Sequence, residues 1–375
     1  LHRLIRRQRQ MCIRDRFGTV LDSFSPSLTL LLVGRILQGI GTGIALPLMF
    51  HIILTKSPIK SRGMMMGVGS MITSLAPAVG PTYGGVLLNT LGWRSIFWFL
   101  IILIIISLII GLISIPSEKV HRTEKFPFKT FIFLALGLSF VLLSIEKMSL
   151  LMAIVGIFSL IIFYIVNQKN KLLQLTLFQN SRFNFYMYGF LAYQAILLGL
   201  SFILPNYLQL NLHVSAAAAG AFMFPGALIS AVLAPISGSL LDKIGQYRPI
   251  LSGLIISTVA LSFMFLYFPS LNFWTLMLGH MLLMIGIGLS YANLMTVTLA
   301  TLPANETADG NSILNTTQQF VGATATAVVA QVITTAMHKS PANGMIIGSK
   351  QGIGGLTVLI IVSLVLFIAV NRHQK

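Results

Sequence analysis

Apolar residues along this chain come in long, nearly uncharged runs separated by short polar loops. Five runs, near 28–54, 63–88, 95–115, 127–145 and 148–167, are followed by six more near 184–208, 216–241, 249–268, 273–299, 311–337 and 353–371; a partial run at 17–24 precedes them. A hydrocarbon core ~30 Å thick is crossed by ~20 helical residues, so each full run can span a bilayer. Within a bilayer only helices and closed barrels satisfy all their backbone hydrogen bonds, and barrel strands are much shorter than these runs. The pattern predicts an all-α polytopic membrane protein.

Composition agrees with this. The 375 residues are 55% hydrophobic and 9% charged, with a mean hydropathy of +0.87. A soluble domain of this size cannot hide that much apolar surface. The single Cys12 excludes an internal disulfide framework.

A net charge of +17 would suit nucleic acid, but its placement suits a membrane instead. If the loop after 28–54 is cytoplasmic, the cytoplasmic loops hold Lys56, Lys60 and Arg62, then Lys119, Arg122, Lys125 and Lys129, then Lys169, Lys171 and Arg182, then Lys243 and Arg248, and finally Arg372 and Lys375. The outer loops hold only Arg94, Lys147, Lys339 and Lys350. That asymmetry sets the orientation and places the C-terminus in the cytoplasm. The loop 300–310 runs against it, with Glu306 and Asp309 and no base.

Leu1–Arg16 read as a non-native segment. They carry six arginines and the only cysteine, and they precede a shortened apolar run. The stretch from Gln8 to Arg16 resembles translated sequencing-adapter read-through; the rival readings are a basic amphipathic arm or a targeting peptide. Without these residues the charge falls to +12, most of it in loops.

The chain repeats itself. Val33–Gly43, with Gly34, Arg35, Gly41 and Gly43, matches Leu278–Gly288, with Gly279, His280, Gly286 and Gly288, at an offset of 245 residues. Internal repeats of this kind are common in transporters. Eight spans separate the equivalent helices where a two-times-six plan needs six, so two extra helices, at 127–145 and 148–167, lie between the halves.

Three short patterns stand out within that frame. Gly67, Ala76, Gly80, Pro81, Gly84 and Gly85 lie on one span. There glycine costs about 1 kcal/mol and interior proline about 3 relative to alanine. In a membrane helix the same residues allow bending and close helix approach, with Ala76, Gly80 and Gly84 forming a small-residue stripe on which another helix can slide. Gly238, Asp242, Lys243, Gly245 and Arg248 form a charged turn. Its carboxylate can cap a neighbouring helix N-terminus and pair with a loop arginine. Arg35, with Gln38, Gly39 and Gly41, lies about seven residues inside its span, where a guanidinium costs ~2.5–3.5 kcal/mol on insertion scales and calls for a polar partner. The bland alternative is snorkelling to the outer interface.

These patterns resemble the major facilitator superfamily, and within it the fourteen-helix drug:proton antiporter branch. The Gly67–Gly85 pattern resembles the antiporter motif G-x(8)-G-x(3)-G-P-x(2)-G-G, with Ala76 in place of the second glycine. Gly238–Arg248 resembles the G-x-L-a-D-[RK]-x-G loop motif, and Arg35–Gly41 the fourth-helix R-x-x-Q-G-x-G motif. The offset of 245 puts the first-half copy of the loop motif at the start of the chain. The resemblance therefore implies that helices one, two and most of three are missing, and that the chain covers roughly the last three quarters of such a protein. It implies two six-helix bundles plus two linker helices: 17–115 as the remainder of the N-terminal bundle, 116–183 as loop and linker helices, and 184–375 as the C-terminal bundle.

The function so implied is export of amphipathic drugs or other small organic compounds across a bacterial cytoplasmic membrane, in exchange for protons and without a cofactor. The partners are the lipid bilayer, the substrate and protons, with no nucleic acid. Arg35 would act in proton transfer or in holding a carboxylate; the acid that the first helix supplies in the family lies outside this sequence, leaving Arg35 without its partner. His280, the repeat equivalent of Arg35, is a candidate cavity residue or a packing histidine, and the polar residues Tyr193, Gln194, Asn206, Tyr291, Asn293, Asn315, Gln318 and Gln319 within the later spans are candidate cavity residues, Gln318 and Gln319 foremost. Alternatives are a metabolite exporter or solute importer on the same fold, or a non-transporting remnant or sensor. A membrane-embedded hydrolase would need an H-E-x-x-H or G-x-S-x-G pattern, and neither occurs.

Overall fold

The computed structural model describes residues 18–114 and 126–371, apart from some side chains in 74–89 and 108–114. The expected non-native segment and the loop residues 116–125, with Lys119, Arg122 and Lys125, lie outside them. The described residues are almost all helical, with no strand among them. A short stretch at 18–23 (α1) is followed by α2 (Leu28–Lys56), α3 (Arg62–Thr90), α4 (Arg94–Ser114), α5 (Phe128–Lys147), α6 (Leu150–Lys169), α7 (Ser181–Leu210), α8 (Ala216–Ile244), α9 (Tyr247–Tyr267), α10 (Phe273–Ala300), α11 (Thr307–Lys339) and α12 (Gly344–Asn371). Nine of these are long and apolar enough to cross a membrane. Each expected run is a helix; the last begins earlier than its apolar run, at Gly344, because Gly344 and Gly348 pack tightly on the end of α11.

Local chemistry sets the boundaries. Side chains of Ser27, Asn180, Ser215 and Asn272 accept hydrogen bonds from first-turn amides of α2, α7, α8 and α10, and Asn272 with Thr275 closes a capping box. Gly245 ends α8 at φ +82°, a left-handed backbone that a chiral residue enters only with strain. The helices run alternately up and down, so the loops at 57–61, 170–180, 245–246 and 301–306 gather at one end. This is the basic end, where Gln174 donates to Glu306 (2.9 Å) and Asn180 to the Thr301 carbonyl (3.3 Å).

Helices α7–α12 form one bundle around α10, which packs on α7, α8 and α9. Close backbone approach makes this possible: a Cβ on Gly286 would lie 2.6 Å from the Gly253 carbonyl oxygen. Beside that crossing the buried Tyr193 hydroxyl reaches Ser257 (3.1 Å) and Ser290 (2.9 Å), tying α7, α9 and α10 together. Helices α5 and α6 form a hairpin, with Gly137 against Leu160 and Gly156 against Val141, and α5 leans on α11. The first helices reach the bundle chiefly through α3, which lies along α8, and through α2 against α11.

Overpacking a tight core costs ~1–3 kcal/mol. Gly286→Val is therefore expected to lower the unfolding temperature in detergent by several degrees. Gly355→Val, where a Cβ meets nothing within 4 Å, is expected to leave it unchanged.

Candidate functional site

Arg35 sits on α2, facing the end of α1. Seven residues of helix place it ~10 Å along α2 from Leu28. Its guanidinium donates from Nη1 to Gln38 Oε1 (3.1 Å), and Gln38 Nε2 donates to Thr19 Oγ1 (3.1 Å). Gln38 thus holds the arginine and ties α2 to α1. The guanidinium carbon also lies 4.9 Å from the centre of the Phe97 ring on α4. Arg35 Nε lies 3.8 Å from Asp22 Oδ2; the Asp22 side chain is fully buried while Arg35 remains 56% exposed. The expectation that Arg35 lacks an acidic partner is corrected here. A carboxylate just before the turn at 24–27 folds back onto α2. It can do so because position 34 is glycine: a Cβ there would collide with Asp22 Oδ1. Gly41 is buried and Gly39 faces open space.

At the basic end the contact between α3 and α8 is built from glycines. Cβ atoms added at Gly63, Gly67 or Gly238 would collide with backbone of the facing helix. Ser61 precedes α3 yet makes no capping bond; instead Asp242, from the last turn of α8, accepts from the Gly63 and Met64 amides, both at 3.0 Å. A carboxylate on free amides at a helix N-terminus gains from both hydrogen bonding and the helix dipole. Lys243 and Arg248 are exposed and form no ion pair with Asp242. The expected arginine pairing is therefore corrected: the amides of α3 take the role assigned to the cation.

The expected sliding stripe is also displaced. Gly80 has nothing within 4 Å of a notional Cβ and Gly84 only Ile96 Cδ1, at 4.0 Å. Close contact runs instead through Gly63 and Gly67, on the first turns of α3. The side chains of Ala76 and Pro81, and any contact of Gly85, lie outside the described residues, although α3 is helical throughout.

In the second bundle the candidate cavity residues separate. His280 is fully buried against Phe222 and Gly226 of α8, with neither ring nitrogen bonded, and so does not line an open cavity. Asn293 is buried too, donating to Ser237 Oγ (2.8 Å) and the Leu289 carbonyl (3.0 Å); it joins α10 to α8. Gln319 is exposed. Gln318 donates to the Tyr291 hydroxyl (2.6 Å) and to Gln194 Oε1 (3.2 Å), and Tyr291 donates to Gln194 (2.6 Å) while stacking on Phe190 at 4.8 Å. Gln318 Oε1 and Asn315 Oδ1 beside it accept no hydrogen bond. Gln194 and Tyr291, also expected from the sequence as cavity candidates because they are polar residues within apolar spans, complete the cluster.

A cap of this kind contributes ~1–2 kcal/mol. Asp242→Ala is expected to lower thermal stability by about that much and Asp242→Asn, which keeps one acceptor, by less. Lys243→Ala and Arg248→Ala are expected to have no effect. Losses of equal size in all four variants would mean that an ion pair, not the cap, joins the helices.

Comparison with known proteins supplies the family. A profile described as Major Facilitator Superfamily matches residues 17–326. The chain is 30% identical over 351 residues to the lincomycin resistance protein LmrB of Listeria monocytogenes, covering 91% of this chain and 74% of that protein. It is 30% identical over 349 residues to LmrB of Bacillus subtilis, covering 88% and 73%. Its fold matches a crystal structure of the human organic anion transporter MFSD10 (TETRAN) at a TM-score of 0.62 and 16% identity, covering 97% of this chain and 77% of that one. The chain is a multi-pass membrane protein and belongs to the major facilitator superfamily of transporters.

Proposed function

We propose that this transporter exports amphipathic small organic compounds from a bacterial cell in exchange for protons. Its basic end would face the cytoplasm and its C-terminus would lie there. The observation that carries the reading is Arg35: a permanent cation ~10 Å along a membrane helix, next to a buried carboxylate, with half its side chain open. A guanidinium is costly at that depth and is kept where an ion or proton must be handled. The resistance proteins named above, at 30% identity, support export of drugs.

Alternating access follows from two contacts between the halves. Asp242 capping α3, and Asn311 of α11 donating to the Pro47 carbonyl of α2 (2.8 Å), would hold the basic end closed. Releasing both would open that end while the opposite end shuts. Exchange requires that substrate and proton each bind one state better than the other. Tyr291, Gln194 and Gln318, with the free acceptors of Gln318 and Asn315, are packed in this arrangement and would meet the substrate when the bundle opens, with Phe190 stacked behind Tyr291. Export of an endogenous metabolite would use the same apparatus, and the assay below separates the two.

Expressed in a drug-sensitive bacterial host, the intact transporter is expected to raise resistance to lincomycin and to speed ethidium efflux. Nigericin, which collapses the pH gradient, should abolish efflux, as should Arg35→Gln. Tyr291→Ala should change the ranking of substrates more than the rate of pumping. Efflux that survives both nigericin and Arg35→Gln would overturn proton exchange. An absence of drug efflux, with nigericin-sensitive transport of a cellular metabolite, would favour the metabolite reading.

A further inference from the structure

One face of α11 carries three side-chain amides. Asn311, Asn315 and Gln318 fall four and three residues apart, so they stack along a single stripe about 10 Å long. The first joins the two halves: Asn311 Nδ2 donates to the Pro47 carbonyl of α2 (2.8 Å). The last belongs to the aromatic and amide cluster, where Gln318 Nε2 donates to Tyr291 and Gln194. Asn315 stands between them. Its Nδ2 donates to Asn311 twice, to the side-chain Oδ1 and to the backbone carbonyl, each at 2.9 Å.

Each of these bonds fixes the next. A side-chain amide accepts at its oxygen and donates at its nitrogen. With its oxygen held by Asn315, the buried Asn311 can turn only its nitrogen toward Pro47. A flipped Asn311 would set its oxygen against the Pro47 carbonyl and its nitrogen against the Asn315 nitrogen. The other end of Asn315 is left over: Oδ1 is buried and accepts no hydrogen bond, and neither does Gln318 Oε1 less than one turn further along. An unmet buried acceptor is unfavourable, and a donor that reaches it removes the penalty. A donor on Oδ1 also polarises the amide and strengthens the bonds that its nitrogen makes to Asn311.

We propose that Asn315 is the positioning residue that couples the substrate site to the contact between the halves, and that it selects substrates carrying an N–H or O–H donor; this rests on the export reading above. Such a substrate, once it parts Tyr291, Gln194 and Gln318, donates to Asn315 Oδ1 and leaves the Asn315 nitrogen on Asn311. Asn311 stays aimed at Pro47, and the basic end closes behind the substrate. A compound that only accepts competes with Asn311 for the Asn315 nitrogen and loosens that bond. A compound with neither group is held by apolar and aromatic contact alone, and the stripe on α11 does not respond to it.

The test uses the purified intact transporter in lipid nanodiscs, with spin labels at the exposed positions Lys56 and Ala304 of the basic end. Two cationic probes are compared: ethidium, whose two aromatic amines are donors, and tetraphenylphosphonium, which has no N–H or O–H. In wild type, ethidium is expected to raise the ratio of short to long distances about fivefold, the worth of one hydrogen bond. Tetraphenylphosphonium should leave the ratio at its ligand-free value. Asn315→Ala should still bind ethidium but lose the shift. If that variant fails to fold, Asn315→Ser decides: its hydroxyl bonds back to the Asn311 carbonyl, as Thr317 does to Ile313, without reaching Asn311 Oδ1. A merely structural Asn315 would change the ligand-free ratio or the stability and leave the difference between the two probes intact. An ethidium shift that persists in the Asn315 variants, an equal shift with tetraphenylphosphonium, or ethidium transport by wild type without any shift would overturn the coupling role alone. Ethidium that binds wild type yet is not moved by it in proteoliposomes would overturn the export reading, and this inference with it.

Discussion

The two halves meet where α3 and α8 touch backbone to backbone. Much else depends on that contact. Glycines at 63, 67 and 238 bring the helices close enough for the Asp242 carboxylate to reach the first amides of α3. Van der Waals packing of this kind, not hydrophobic burial, drives helix association in lipid, since lipid tails are as apolar as leucine. The carboxylate adds direction: it binds only when the N-terminus of α3 is presented to it. A joint that depends on one presentation of α3 suits the gate proposed above.

Polar groups inside the spans follow one economy. Without water to accept them, they must be paired or must serve a purpose. Tyr193 meets two serine hydroxyls, Asn293 meets Ser237 and the Leu289 carbonyl, and Gln38 spans Arg35 and Thr19. Exceptions among the described residues are spread through the molecule: both Asp22 oxygens, Arg62 Nε, the side-chain oxygens of Asn184, Asn293, Asn315, Gln318, Thr324 and Ser349, and both His280 nitrogens form no hydrogen bond. His280 is the largest of them left without any partner. It is buried and unpaired against Gly226 and Phe222, and nothing around it explains why a histidine stands there.

How much of this was legible in the sequence varies with the physics. Spans were plain, because ~20 apolar residues have one use in a chain of this composition. The loop carboxylate was legible as a helix cap, since Asp242 precedes Gly245 in a turn that ends one helix and faces another. Its partner was not, because which amides lie within reach depends on how two helices cross. The Gly80–Gly84 spacing suggested close packing that occurs instead at Gly63 and Gly67: spacing marks which face is small, not which part of it a neighbour covers. The burial of Asp22 against Gly34 becomes visible only once the hairpin between α1 and α2 is folded. Gln194 and Tyr291 lie 97 residues apart, and no short motif could join them.

Alternating access about the α3–α8 joint is the central claim, and distances measure it directly. Spin labels at Lys60 and Lys243 report the basic end, and labels at Trp93 and Leu212 the opposite end, by double electron–electron resonance in lipid nanodiscs. The account predicts two populations per pair that shift in opposite senses between high and low pH, with the basic end closed whenever the opposite end is open. Distances that stay fixed with pH and ethidium, or that lengthen together at both ends, would contradict it.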